Sequence, residues 1–159
     1  MIKYRTGSAG ETAELGQKLG KMLKKGDTVC LTGDLGTGKT AFTGGIARAL
    51  GIDGYITSPT FTIVNEYEGK LPLYHFDVYR IGGADEMYDV GFDDYVYGSG
   101  ITVIEWADII KEILPEERIE IRLEKDDHDK PDSRLITVEF FGRETAAYEG
   151  RLLNEGIGR

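Results

Sequence analysis

Eight consecutive residues, Gly33-Asp34-Leu35-Gly36-Thr37-Gly38-Lys39-Thr40, carry the clearest chemistry in the chain. Glycines at 33, 36 and 38 permit a backbone that turns successive N–H groups toward an anion. Lys39 adds an ammonium, and Thr40 a hydroxyl suited to a hard metal ion. The pattern is glycine, four residues, then Gly-Lys-Thr, which is a phosphate cradle. Lys39 is expected on the β- and γ-phosphates of a nucleoside triphosphate and Thr40 on Mg²⁺. The cradle needs a strand before it and a helix N-terminus after it, and both are written in the flanks. Thr28 to Thr32 reads as a short buried strand, and Thr40 to Leu50 is rich in Ala, Leu and Ile without proline.

Phosphate binding alone hydrolyses nothing; acids must converge on the metal and on an attacking water. Glu105 follows the apolar run Ile101-Thr102-Val103-Ile104, the place for a metal-binding or water-orienting carboxylate at the carboxyl end of a buried strand. A strand-end acid meeting solvent would read the same. Asp77 sits in Tyr74-His75-Phe76-Asp77-Val78-Tyr79-Arg80, where alternation sends His75, Asp77 and Tyr79 to one face and Phe76 and Val78 to the other. That polar trio marks either a site or the solvated face of a hairpin. Thr57-Ser58-Pro59-Thr60-Phe61 is a hydroxyl-rich turn of the kind that senses a γ-phosphate or its metal, although turn chemistry also accounts for it. Trp106, the single tryptophan, is either core or a platform beside the nucleotide. His75 and His128 share no metal-ligand spacing with each other or with Cys30, so no zinc site is expected.

These residues need elements to position them. Ser8 and Glu11 have capping-box spacing ahead of a helix whose Leu15, Leu19 and Met22 share one face, packed beside the nucleotide strand. Tyr55 to Tyr67 and Leu71 to Tyr79 read as a hairpin across Glu68-Gly69-Lys70. Ala84 to Tyr95 is helical in part, acidic, and interrupted by Gly91, a candidate lid or docking surface. Ile119 to Leu123 and Leu135 to Phe141 form a second hairpin around a loop from Lys125 to Ser133, and Arg143 to Leu153 closes the chain as an amphipathic helix.

The 159 residues suit one domain, 1–159. With 28 acidic and 19 basic residues the net charge is −9, which opposes unaided binding to a polyphosphate backbone. The lone Cys30 cannot form an internal disulfide and reads as core in a reducing compartment. No run approaches membrane-spanning length and no signal segment follows Met1, so a cytoplasmic protein is expected.

Four blocks together resemble the TsaE family, bacterial P-loop ATPases required for threonylcarbamoyladenosine in tRNA: the phosphate loop, Ser58-Pro59-Thr60-Phe61-Thr62, His75-Phe76-Asp77-Val78-Tyr79-Arg80 and Ile104-Glu105-Trp106. The order and approximate spacing agree over nearly the whole chain, and Leu15-Gly16 also looks like the family. The resemblance implies an α/β, P-loop NTPase-like three-layer fold: a mostly parallel central sheet with antiparallel hairpins and helices on both faces. It implies a Mg²⁺-dependent ATP hydrolase active when bound to a TsaB–TsaD heterodimer, which it resets between rounds, with tRNA met only indirectly. By motif, Lys39, Asp77 and Glu105 would be catalytic, and Thr40 and Glu105 would hold Mg²⁺. Gly33, Asp34, Leu35, Gly36, Thr37, Gly38, Lys39, Thr40 and Ala41 would cradle ATP. Thr60 would be the switch threonine, Trp106 would lie near the nucleotide, Arg134 near the ATP site, and Thr12 beside the base pocket. Ala107-Asp108 after the Glu-Trp pair and Gly91-Phe92-Asp93-Asp94-Tyr95 depart modestly from the family and touch no expected ligand.

A small-molecule kinase would share the loop, but such enzymes bring arginines on a mobile lid, and no arginine-rich lid segment is visible. A guanine-nucleotide switch would need Asn-Lys-x-Asp and Asp-x-x-Gly, and Asp77 is followed instead by Val78-Tyr79-Arg80. ATP is therefore favoured over GTP. An interaction module that binds nucleotide without turnover remains a third reading.

Overall fold

The computed structural model describes residues 1–154 apart from Tyr55, Thr60, Phe61, His128 and Asp129. Seven strands form one sheet: β1 (Ile2–Thr6), β2 (Thr28–Thr32), β3 (Val64–Tyr67), β4 (Leu73–Asp77), β5 (Ile101–Glu105), β6 (Arg118–Asp127) and β7 (Lys130–Phe141). The helices are α1 (Ala9–Gly20), α2 (Lys39–Ala49), α3 (Asp85–Asp89), α4 (Phe92–Val96) and α5 (Arg143–Asn154), with a 3₁₀ stretch at Ala107–Ile113. No helix among the described residues is long and apolar enough to cross a membrane.

The strand order is β1-β7-β6-β2-β5-β4-β3. β6, β2, β5 and β4 pair in parallel and make the centre, while β7, β1 and β3 extend the flanks antiparallel. This is the expected mixed α/β architecture. All five residues of β5 are buried, as its apolar run requires of a strand covered on both faces. One core lies on the side of α1, α2 and α5 and gathers Leu15, Leu19, Val29, Leu31, Phe42, Ile46, Val103 and Leu152. The other lies on the side of α3, α4 and the 3₁₀ stretch and gathers Cys30, Phe76, Met87, Phe92, Ile104 and Ile110. Burial pushes the Cys30 thiol up to about 12, which makes it an inert packing group.

α1 starts as its capping box dictates: Ser8 Oγ accepts from the Glu11 amide at 3.1 Å, and the Glu11 carboxylate accepts from the Gly7 amide. It packs across α2 at very short range. A Cβ on Gly45 would stand 1.9 Å from the Ala13 carbonyl oxygen, so only glycine allows this crossing.

Three elements differ from the sequence expectation. The strand expected from Tyr55 begins only at Val64, because the segment before it turns its polar groups elsewhere: Ser58 bonds to Thr40 and Glu105, and the Thr57 carbonyl accepts from Asn65 Nδ2. The second hairpin absorbs most of the expected 125–133 loop, its ladder continuing to Lys125↔Arg134 and Asp127↔Lys130 around an irregularity, with His128 and Asp129 outside the described residues. β1 was not expected as a strand. Its Ile2, Tyr4 and Thr6 alternate inward, but five residues acquire strand character only by pairing with β7.

Candidate functional site

The phosphate loop is the turn between β2 and α2. Gly33, Gly36 and Gly38 all have positive φ, at 140°, 77° and 104°, and a Cβ on Gly33 would meet the Leu123 carbonyl oxygen at 2.4 Å. Gly38 caps α2 with no side-chain hydrogen bond, and the first turn of α2 carries no acidic residue, whereas those of α1, α3 and α4 do. The positive end of that one helix is left open for an anion despite the acidic surface.

Lys39 curls back over the loop and donates from Nζ to the carbonyl oxygens of Gly33 at 2.7 Å and Asp34 at 2.8 Å. An ammonium has three donors, so one remains. Above it lies the Trp106 ring, its centroid 4.2 Å from Nζ, and Tyr79 packs on that same ring at 4.7 Å between centroids. Burial lowers the Lys39 pKa, and Glu105, Asp77, Asp34 and Asp108 oppose that shift. Trp106 reaches this place through a left-handed backbone, φ 64°, the only positive φ outside glycine among the described residues. Its amide still donates to Leu31 at 2.9 Å, so the chain leaves β5 hooked to β2 before turning.

Arg134, in β7, fixes the loop from the far side. Its Nε donates to the Thr37 carbonyl and its guanidinium to the Gly36 carbonyl, both at 3.0 Å. Thr37 Oγ1 donates to the Asp34 carbonyl at 2.9 Å. Thr12 is buried beneath the loop, its hydroxyl 2.8 Å from that of Thr6 and its methyl near Gly38, so its side chain supports the cradle. Leu35 stands exposed at the loop tip, and Ala41 lies in the first turn of α2.

The acids meet by register. β4 and β5 are parallel neighbours with Asp77 opposite Glu105, and both side chains leave the α2 side of the sheet. Glu105 is 3 % exposed and its Oε2 accepts from His75 Nε2 and from Ser58 Oγ, the latter at 3.2 Å. Ser58 Oγ is also 2.8 Å from Thr40 Oγ1. The two oxygen groups expected to hold Mg²⁺ are thus bonded to one hydroxyl. Hard oxygen donors from a threonine and a carboxylate fit that ion. Asp77 accepts from the Tyr79 amide at 3.0 Å, and burial raises its pKa against the opposing pull of that hydrogen bond.

Two cavities flank the loop. One, about 560 Å³, is lined by Thr32, Asp34, Thr37, Trp106, Asp108, Arg122 and Lys125 among others. The second, about 510 Å³, is lined by Ser58, Pro59, Asp77, Tyr79, Arg80 and Glu86, and Leu35 borders both. The expected residues therefore gather around one loop, except Thr60, which lies outside the described residues. Sequence reading gave no role to Ser58 as a bridge or to His75 as the partner of Glu105. A histidine beside Phe76 in a strand-like run, two residues before an acid, was the available signal.

The family model for threonylcarbamoyl adenosine biosynthesis protein TsaE matches residues 6–136, the span from β1 into β7 that holds every one of these groups. The chain belongs to the TsaE family. It is 46 % identical over 138 residues to a tRNA threonylcarbamoyladenosine biosynthesis protein TsaE of Bacillus subtilis, covering 86 % of each chain. A TsaE of Treponema pallidum is 46 % identical over 116 residues, 73 % of this chain and 86 % of the relative. Among solved structures, Bacillus subtilis YdiB superposes with a TM-score of 0.81 at 39 % identity, covering 97 % of this chain and 95 % of that one.

Proposed function

We propose that this TsaE protein is a Mg²⁺-dependent ATPase of tRNA threonylcarbamoyladenosine biosynthesis, hydrolysing ATP when bound in the cytoplasm to a TsaB–TsaD heterodimer and resetting it between rounds. The observation that carries the reading is the convergence of Lys39, Asp77 and the Thr40–Ser58–Glu105 cluster on one phosphate loop. Family membership supplies the pathway. tRNA would be met through the partners, in keeping with the net charge of −9.

In this reading the amides of the loop and the N-terminus of α2 bind the phosphates, and the third donor of Lys39 bonds a terminal oxygen. Thr40 and Glu105 would hold Mg²⁺, which when bound neutralises charge on the phosphate oxygens. Asp77 orients the attacking water; its raised pKa makes it a better proton acceptor than a surface aspartate. Trp106 and Tyr79 limit water around the Lys39 ammonium.

The test measures phosphate release from ATP by the protein alone, with the heterodimer, and with candidate hydroxyl acceptors. Release that rises with the heterodimer is expected. Phosphate on a small-molecule acceptor would establish a kinase, and binding without release in every arm would leave a nucleotide-binding interaction module.

A further inference from the structure

Four separate segments meet at one carboxylate. Thr40 comes from α2, Ser58 from the connection to β3, His75 from β4 and Glu105 from β5. The directions of their hydrogen bonds follow from what each group can donate. Glu105 as a carboxylate only accepts, so Ser58 gives it its single proton, and Thr40 must then be the donor to Ser58. His75 is 0 % exposed and faces the same Oε2 with Nε2. Nε2 therefore carries the proton. Nδ1 has no partner among the described residues, which suits a bare ring nitrogen better than an N–H. Both lone pairs of Oε2 are taken, leaving Oε1 of Glu105 and the lone pairs of Thr40 as the groups still free to bind.

We propose that Ser58 and His75 are positioning residues of the metal site, a relay that presets both oxygen ligands before Mg²⁺ arrives. This rests on the Mg²⁺–ATP reading above. Thr40 directs its proton to Ser58 and so turns its lone pairs outward. Glu105, pinned on one oxygen by two donors, has a single orientation for the other. Outer partners of this kind typically change metal affinity about 10- to 100-fold when removed. A histidine that merely filled a buried position would have no such effect on the metal.

The experiment titrates Mg²⁺ into the full-length protein holding a fluorescent non-hydrolysable ATP analogue and repeats the binding in EDTA. Ser58→Ala and His75→Leu are expected to raise the Mg²⁺ midpoint about 10-fold and to leave the EDTA affinity within twofold of wild type. His75→Gln, which keeps an N–H near the Nε2 position, recovers most of the loss. Ser58→Ala removes one hydroxyl from a loop, so it tests the idea even if His75→Leu fails to fold. A Mg²⁺-sensitive wild type with an unmoved Ser58→Ala midpoint overturns the relay alone; a wild type indifferent to Mg²⁺ overturns the parent reading together with the relay. Nitrogen-15 spectra of the metal-free protein give an independent readout, since the chain has 2 histidines and His75→Gln assigns its ring. The Nε2–H tautomer is expected, and an Nδ1–H tautomer contradicts the relay.

Discussion

The two flanks of the phosphate loop are built on opposite plans. On the side of β7 the loop is tied to itself and to its neighbours: Arg134 holds the carbonyls of Gly36 and Thr37, Thr37 holds that of Asp34, and Lys39 holds those of Gly33 and Asp34. On the side of Asp77 the groups are sparse. Among the described residues the Asp77 carboxylate has one hydrogen bond, to the Tyr79 amide, and Tyr79 is 49 % exposed beside a cavity of about 510 Å³. In the proposed reading, the half that would bind phosphate is tied down within the chain, while the half that would place water is open. Such a division suits a protein that holds ATP alone and turns it over only when another surface closes the second side.

The comparison breaks most sharply at Asp77. Asp77→Ala is expected to lower partner-stimulated phosphate release roughly 10²- to 10⁴-fold, the usual worth of a positioned proton acceptor. Analogue affinity should stay within a few-fold. A loss of binding instead would place Asp77 with the cradle. Lys39→Ala does the reverse: it removes charge-assisted bonds of about 1.5–3 kcal/mol each, so calorimetric affinity for the analogue should fall roughly 100-fold. Turnover then disappears through lost binding. Arg134→Ala touches no phosphate donor but frees two carbonyls of the loop. Roughly 1–2 kcal/mol of cradle order should go with it, read as about a 10-fold weaker affinity and a lower Tm.

The smallest effect concerns charge. Desolvation raises the Asp77 pKa, so its ionised form costs stability above that pKa, and the penalty shrinks as pH falls from there toward the lower unfolded value. Asp77→Asn keeps an acceptor for the Tyr79 amide and removes the charge. It should raise stability slightly at pH 7, by less than about 1 kcal/mol because the group is half exposed, read as a small rise in Tm, and the gain should fade on acidification. In the wild type the acid limb of turnover should lie at higher pH than a surface aspartate would set. A gain constant with pH would mean that charge is not its cause.

Much of this was legible in the residues. The phosphate loop, the capping box at Ser8 and the buried run of β5 are local signals, each complete within about ten residues, because they depend on backbone conformation or on strand and helix period. Both hairpins were legible too, though β3 began late and the 125–133 loop proved largely strand. β1 escaped because its alternation is short and its stabilising partner, β7, lies more than 120 residues away.

What the chain determined by itself is the shape of a phosphate loop: glycines, a lysine and a threonine at fixed spacing specify that local geometry wherever the loop is placed. What only the tertiary structure decided is which acids answer it and what steadies them. Asp77 faces Glu105 because β4 and β5 pair in one register, and a slip of one residue would turn either acid to the opposite core. Ser58 lies 47 residues from Glu105, His75 lies 30, and Arg134 reaches the loop across 97 and 98. No local rule fixes such contacts. They exist because sheet order and the path of one connection bring distant polar groups together, from the buried His75–Glu105 pair to the exposed edge of the loop at Gly36.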